Sequence, residues 1–335
     1  MVKTYYAQRA SVPGTLLVTE GTFLSPQAGG YDFVPGLWEP AMLQEWKAVT
    51  DAVHAKGSYI YCQLWCLGRA AQATVLGREG LDVVSSSAVP IAPASSMPRA
   101  MTEDEVWNMV GAYALAAKRA VLEAGFDGVE IHGANGYMVD QFTQDTCNKR
   151  TDRWGGSIEN RARFALEVAK ACAEAVGRER VGIRLSPYSE YQAMRMADPV
   201  PQFTYLIQEL SKLRLSYLHM TTPRVQGSSD VKDPTENMDW AVQAWGNVSP
   251  VILAGGYRIG TAKSDVDEKY KDYDICIAFG RWFLSTPDLP FRLKEGIELN
   301  RYNRGTFYTA MQKEGYTDYP FSSEWAKVEK SQSRL

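Results

Sequence analysis

Three polar side chains of complementary chemistry crowd one short stretch, Gly128-Val129-Glu130-Ile131-His132-Gly133-Ala134-Asn135-Gly136-Tyr137. His132 and Asn135 can donate hydrogen bonds to an oxygen that gains charge, and Tyr137 can deliver a proton. The first half alternates as a strand would, with Val129 and Ile131 on one side and Glu130 and His132 on the other. Gly133 and the Asn135-Gly136 pair then break the strand, so His132, Asn135 and Tyr137 fall at its C-terminal end or in the loop beyond. The same residues would also make an ordinary βα turn, with Asn-Gly supplying positive φ and His132 satisfied in the core. Spacing alone does not separate the two.

Those side chains need elements to hold them. A helical pattern from Glu103 to Ala124 leads into the stretch and another helix follows it, giving an α-β-α run. Upstream, a short helix spans Lys3 to Arg9, and Leu16 to Glu20 reads as a buried strand ending at Gly21. A polar loop from Ser25 to Pro40 precedes a helix over Ala41 to Lys56, stopped by Gly57 as a C-cap glycine would stop it. Strand Tyr59 to Trp65 comes next, then a Ser-, Pro- and Ala-rich insertion over 67–99 that reads as a surface loop across the strand ends. Downstream, strands at Val181–Ser186, Tyr217–Met220, Val251–Ala254 and Ile275–Phe279 alternate with helical patterns to the end of the chain. Repeated βα units of this kind mean a parallel sheet with helices outside, in one domain covering 1–335. No Gly-x-Gly-x-x-Gly opens any helix, which argues against a Rossmann domain. The expected fold is α/β, a (β/α)8 TIM-type barrel with seven of its eight strands evident.

In that barrel the strand ends carry a consistent polar set. Gly21 follows the first strand, Gln63 sits near the end of the second, and Arg184 lies inside the fourth. Gly255-Gly256 and Gly280-Arg281 follow the last two strands, where the backbone can approach an anion and Arg281 can grip it with two bonds. Taken singly, each glycine is a plain turn; their shared position beside Arg281 suggests a phosphate site. An arginine within a barrel strand needs an anionic or strongly accepting partner, and Glu130 on the neighbouring strand is the structural candidate for Arg184. His54 reads as solvated and His219 as a core residue. No His/Cys/carboxylate spacing suggests a metal, and no Gly-x-Ser-x-Gly elbow suggests a hydrolase.

The totals narrow the classes further. With 45% hydrophobic and 22% charged residues and a net charge of −3, the 335-residue chain gives no reason to expect nucleic acid or an anionic membrane as partner. Five cysteines form no Cys-x-x-Cys pair; Cys62 and Cys66 sit roughly 13 Å apart along one strand, too far to bridge, as expected of free thiols in a reducing cytoplasm. No apolar signal core and no membrane-length apolar run is evident. The oligomeric state is not legible, and a homodimer is compatible with the sequence.

Longer motifs add a resemblance. Pro26-Gln27-Ala28-Gly29-Gly30-Tyr31, Gln63-Leu64-Trp65, His132-Gly133-Ala134-Asn135-Gly136-Tyr137, the run from Arg150 to Arg161 and Phe279-Gly280-Arg281, in this order, resemble the Old Yellow Enzyme family from about Tyr5 to Pro320. The wording at Ser85–Pro90 and Asp288–Phe291 is closest to fungal members, including those of ergot-alkaloid pathways that act on chanoclavine aldehyde. The resemblance implies an FMN-dependent ene-reductase on a (β/α)8 barrel, with NADPH or NADH as hydride donor and an enone or enal as substrate. It implies that His132 and Asn135 bind the carbonyl oxygen and that Tyr137 protonates the α-carbon. Gly21 and Gln63 would contact the flavin ring, Arg184 would sit near its N1–C2=O edge, and Gly255, Gly256, Gly280 and Arg281 would hold the phosphate. At Gly256 the family often has Asn. Trp65, Phe307 and Tyr308 would line the substrate pocket.

One departure follows from the same resemblance. Family members carry a further strand with a Pro-Leu/Met-Thr-Arg-like segment ahead of the match to Tyr5–Ala10, and no such segment is matched here. The strands at Leu16 and Ile275 would then each expose a sheet edge. The sequence could be a shortened version of a longer enzyme, or the gap could be closed by rearrangement or by another chain. A third reading is a homologue without tight FMN binding, working as a flavin-free isomerase or cyclase or as a non-catalytic protein.

Overall fold

The structure is a computed structural model that describes residues 1–226, 229–231 and 234–332. Helix α1 (Val2–Arg9) leads to strand β1 (Leu16–Phe23), helix α2 (Pro40–His54) and β2 (Tyr59–Trp65). Helix α3 (Glu103–Lys118), extended by a π-helical turn over Arg119–Glu123, precedes β3 (Gly128–Gly133) and the short α4 (Met138–Thr143). Then come α5 (Ile158–Val176), β4 (Val181–Leu185), α6 (Val200–Ser211), β5 (Tyr217–Thr221), α7 (Asp239–Trp245), β6 (Val251–Ala254), α8 (Ile259–Ser264) and β7 (Ile275–Ala278). The chain ends through α9 (Arg281–Ser285), α10 (Leu289–Glu295) and α11 (Ser323–Gln332).

The seven strands form one sheet in sequence order, every neighbouring pair parallel, as the βα alternation requires. Outward-facing Val129, Ile131, Ile183 and Leu253 join helix residues such as Phe164, Leu206 and Trp245 in the main apolar core. The helices begin where local chemistry satisfies their free amides. Thr102 and Glu105 form a reciprocal capping box at α3, and the Ser157 hydroxyl accepts from Asn160 N–H at α5. Among the described residues β1 and β7 are not paired with each other, so the curled sheet is open between them.

Two sequence expectations change. Strand β1 does not end before Gly21; it continues through a register shift between Val18 and Gly21, which pairs Gly21 with Gln63. The continuation is tertiary, held by pairing with β2, and position 21 takes a glycine there because a Cβ would meet the Trp65 Cε3 at 2.6 Å. The stretch 67–99 is not all surface loop. It carries a helical turn over Ala73–Leu76 and a short parallel pair, Val84–Ser85 with Arg99–Ala100, and it buries Arg69, Ser85 and Ser86. Ser85 Oγ donates to Gln141, and the two terminal nitrogens of Arg69 donate to the carbonyls of Val89 and Gln192.

Candidate active site

Register builds the site. Glu130 pairs with Gln63 on β2 and Gly182 on β4, Gly182 with Tyr217 on β5, and His132 pairs with Arg184, which pairs in turn with His219. The absent side chain at Gly182 matters: a Cβ there would fall 2.4 Å from the Tyr217 ring, which crosses this space to reach Glu130. The fully buried Glu130 carboxylate accepts from Gln63 Nε2 at 2.7 Å, Tyr217 OH at 3.0 Å and His219 Nδ1 at 2.8 Å. Burial works to raise this carboxyl, but His219, Arg184 and Gln63 outweigh it and hold it down to about 2. Burial pushes His219 below its ordinary value, against the pull of Glu130. A neutral His219 donating Nδ1–H to an ionised Glu130 satisfies both, and leaves His219 Nε2 a bare acceptor, buried and without a hydrogen-bond partner.

Arg184 makes no ion pair with Glu130, the structural alternative to an anionic ligand that the sequence offered. The carboxylate oxygens are taken by Gln63, Tyr217 and His219, Glu130 acts on Arg184 only through space, and the buried Arg184 Nε has no partner. Gln63, Arg184 and His219 line a cavity of about 720 Å³ on the open side of the sheet, which also reaches Gly255, Gly280 and Arg281. That size suits a cofactor.

The second group gathers beyond the end of β3. His132 Nδ1 accepts from Ala134 N–H at 3.3 Å, so the ring proton sits on Nε2. Burial first, then the Arg184 charge, push His132 down to about 3, so it is a neutral donor at any working pH. The Trp65 ring lies nearly parallel to it, centroids 6.2 Å apart, and Tyr137 stands edge-on to both rings, at 4.8 Å from Trp65 and 5.0 Å from His132. Burial pushes the Tyr137 phenol above its ordinary value, with Tyr31, Tyr191 and Tyr308 adding to it, so the phenol keeps its proton. Asn135 has φ 56°, a left-handed conformation that Asn tolerates. Its N–H donates to Ser186 Oγ at 2.7 Å and its carbonyl accepts from Gln192 Nε2 at 3.0 Å, which fixes the backbone. Asp140 on α4 accepts from Gly136 N–H at 2.8 Å and closes the turn.

At the far end of the cavity, Gly255 and Gly256 have φ of 125° and 65°, conformations that disfavour any side chain. Gly280 precedes α9 with open space where a Cβ would point. The Arg281 guanidinium holds both oxygens of Asp230, and this carboxylate stands in for the oxyanion such a fork grips. Arg304 also touches Asp230, and Tyr302 lies beneath both arginines. Phe307 packs on Tyr302 at 5.6 Å, while Tyr308 is 89% exposed and acts on Tyr137 only through space.

Thus the structure brings Gln63, Arg184 and the Gly255 and Gly280 loops to one cavity and His132, Asn135 and Tyr137 to its neighbouring strand end, with Trp65 between Gly21 and His132. It leaves Phe307 and Tyr308 at the periphery. Sequence reading missed Glu130, Tyr217 and His219 as a set. The signal was there in part, since Glu130 and His219 are polar residues at inward positions of otherwise apolar strands. Among the described residues no group of three or more His, Cys, Asp or Glu could hold a metal, and no helix is long and apolar enough to cross a membrane.

A parallel α/β sheet curled around a cofactor-sized cavity that Gln63, Arg184 and His219 line fits the class of flavin-binding barrel oxidoreductases. The chain belongs to the NADH:flavin oxidoreductase / NADH oxidase family, which matches residues 1–300. It is 55% identical to chanoclavine-I aldehyde reductase of Penicillium roqueforti over 98% of this chain and 89% of that protein. To an NADP-dependent oxidoreductase of Aspergillus flavus it is 52% identical, covering 97% and 88%. A relative from Epichloe festucae var. lolii, 51% identical over 100% of this chain and 89% of its own length, carries the name "Probable inactive reductase". Among solved structures, morphinone reductase superposes with a TM-score of 0.87 at 39% identity, covering 96% of this chain and 87% of that one. Old Yellow Enzyme from Pichia sp. superposes at 0.89 with 38% identity, covering 96% and 84%. The fold is therefore of the TIM-barrel Old Yellow Enzyme type, and the chain is an FMN-dependent oxidoreductase using a nicotinamide hydride donor. The residues present fit that cofactor: an unpartnered Arg184 Nε, an unpartnered His219 Nε2 and an arginine that already holds an oxyanion.

Proposed function

We propose that this enzyme reduces the C=C bond of an α,β-unsaturated aldehyde or ketone in fungal secondary metabolism, and that His132, Asn135 and Tyr137 are its catalytic residues. FMN, when bound, supplies hydride to the β-carbon. The observation that carries the reading is His132, its Nδ1 tied to Ala134 N–H so that Nε2 is free to donate, standing edge-on to Tyr137 beside a backbone-held Asn135. His132 Nε2–H and the Asn135 amide bind the substrate oxygen as its charge grows, a contribution of about 3–4 kcal/mol for a donor of this kind. Tyr137 gives its proton to the α-carbon. Trp65 walls the pocket from the Gly21 side, where a Cβ on Gly21 would meet its ring. Gly21 and Gln63 face the flavin ring, Arg184 favours its reduced anion by direct charge attraction, and Gly255, Gly256, Gly280 and Arg281 hold its phosphate. All five cysteines are unpaired, which suits a reducing cytoplasm.

The test is a two-step anaerobic titration of FMN-loaded protein. NADPH should bleach the flavin absorbance, and an enal should restore it with loss of the substrate's C=C bond. Nicotinamide oxidation that leaves the C=C bond intact overturns the reading. So does conversion of the enal without flavin, which would point to a redox-neutral isomerase.

A further inference from the structure

Beneath the residues given roles above lies a buried carboxylate with none. Glu130 is fully buried at the centre of the sheet and accepts from Gln63, Tyr217 and His219. A carboxylate has no proton to offer, so the orientation of each partner follows from it. Gln63 must turn its NH2 toward Glu130, and its carbonyl oxygen therefore faces away. His219 must carry its proton on Nδ1, and its Nε2 lone pair therefore remains free. Both residues line the cavity, as does Arg184, whose charge is felt by Glu130.

We propose that Glu130 is a positioning residue for the flavin: it turns the Gln63 carbonyl and the His219 Nε2 into the cavity as acceptors, and its charge offsets that of Arg184, so that it sets the potential of the bound flavin. A cavity left with two acceptors and one guanidinium donor matches a planar heterocycle that presents both N–H and C=O groups along one edge. An uncompensated Arg184 would stabilise the extra negative charge of a reduced ligand too strongly for ready hydride release. The Glu130 charge opposes it, and an interior of low polarity keeps the interaction long in reach. Tyr217 contributes a hydrogen bond to the carboxylate but no charge. The inference rests on the FMN-dependent reading and is independent of which enone is reduced.

The experiment is an anaerobic redox titration of FMN-loaded wild type, Glu130→Gln and Tyr217→Phe, with no enone present, so a wrong substrate assignment does not touch it. Glu130→Gln keeps the shape and removes the charge. Its flavin should be at least tenfold easier to reduce at a given potential, a shift of about +30 mV for a two-electron couple. Tyr217→Phe, which removes one hydrogen bond from the same carboxylate but leaves its charge, should move the potential by less than a third of that. An unchanged or lowered potential in Glu130→Gln, or equal shifts in both variants, overturns the proposal. Should Glu130→Gln fail to fold, wild-type protein still decides. The 15N imidazole resonances should show His219 as the Nδ1–H tautomer, neutral from pH 5 to 8, and an Nε2–H tautomer or a charged ring would overturn it.

Discussion

His132 and His219 share one imidazole chemistry and are wired in opposite senses. The Ala134 N–H occupies His132 Nδ1 and leaves a donor; the Glu130 carboxylate occupies the Nδ1 of His219 and leaves an acceptor. Beside them Tyr137 is a phenol kept protonated by burial. Tyr137→Phe should therefore slow flavin reoxidation by an enal by roughly 10²–10⁴-fold, the range for a general acid, and leave reduction by NADPH within a few-fold. Separate stopped-flow traces of the two half-reactions check it, and an equal fall in both would remove Tyr137 from the acid role. Gly21 offers a second probe at this scale. Its backbone is extended, so only the 2.6 Å approach to Trp65 opposes a Cβ. Gly21→Ala should push the indole off His132 and raise the enal KM, with Trp65→Phe in the same background restoring part of it.

Helix α4 (Met138–Thr143) shows what an element does for the residues before it. Its Asp140 accepts from Gly136 N–H and from Gln144 Nε2, both at 2.8 Å, and so holds the turn carrying Asn135. Burial pushes the Asp140 carboxyl up to about 7, against the pull of Gln144, Gly136 and Arg69. The sign follows from linkage. Between the unfolded value near 4 and about 7 the folded state binds the proton and the unfolded state does not, so this group's contribution to stability is present at low pH and falls as pH rises to 7. His132, depressed to about 3, works the other way and loses stability as pH falls from about 6.5. Because the two overlap, only a difference isolates Asp140: the stability of wild type minus that of Asp140→Asn should shrink from pH 4 to pH 7 and then level. Urea midpoints across that range test it, and a difference that grows with pH would contradict it. None of this was legible in the sequence, where Asp140 is one acid on a short helix. What could be read were the elements fixed by local pattern. Strands Tyr59–Trp65 and Val251–Ala254 fall where apolar run and flanking glycine put them. Strand β1 runs past Gly21 through a register shift against β2, and His219 turns toward Glu130 across the sheet; neither cause is local.

At the scale of the molecule, the sheet is open between β1 and β7, and the chain spans that opening with something other than strand pairing. Arg9, at the end of α1, is 1% exposed and reaches across to the carbonyls of Phe283, Leu284 and Tyr316. Its guanidinium lies 4.0 Å from the Tyr5 ring, Tyr5 stacks on Tyr316 at 4.3 Å, and Gln8 Nε2 donates to the Thr317 carbonyl at 3.0 Å. One planar fork thus ties the first helix to the segment after β7, the same segment whose Arg281 lines the cavity. Arg9→Met keeps the apolar contact and strands three carbonyls, which should lower stability by about 2–4 kcal/mol. Arg9→Lys, a point charge that cannot serve diverging carbonyls, should recover less than half of the loss. Because the tether reaches the segment carrying Arg281, both variants should bind FMN more weakly, and limited proteolysis should cut between residues 296 and 320 before it cuts the sheet. Unchanged urea midpoints and cleavage patterns in Arg9→Met would show that the opening is held by other contacts.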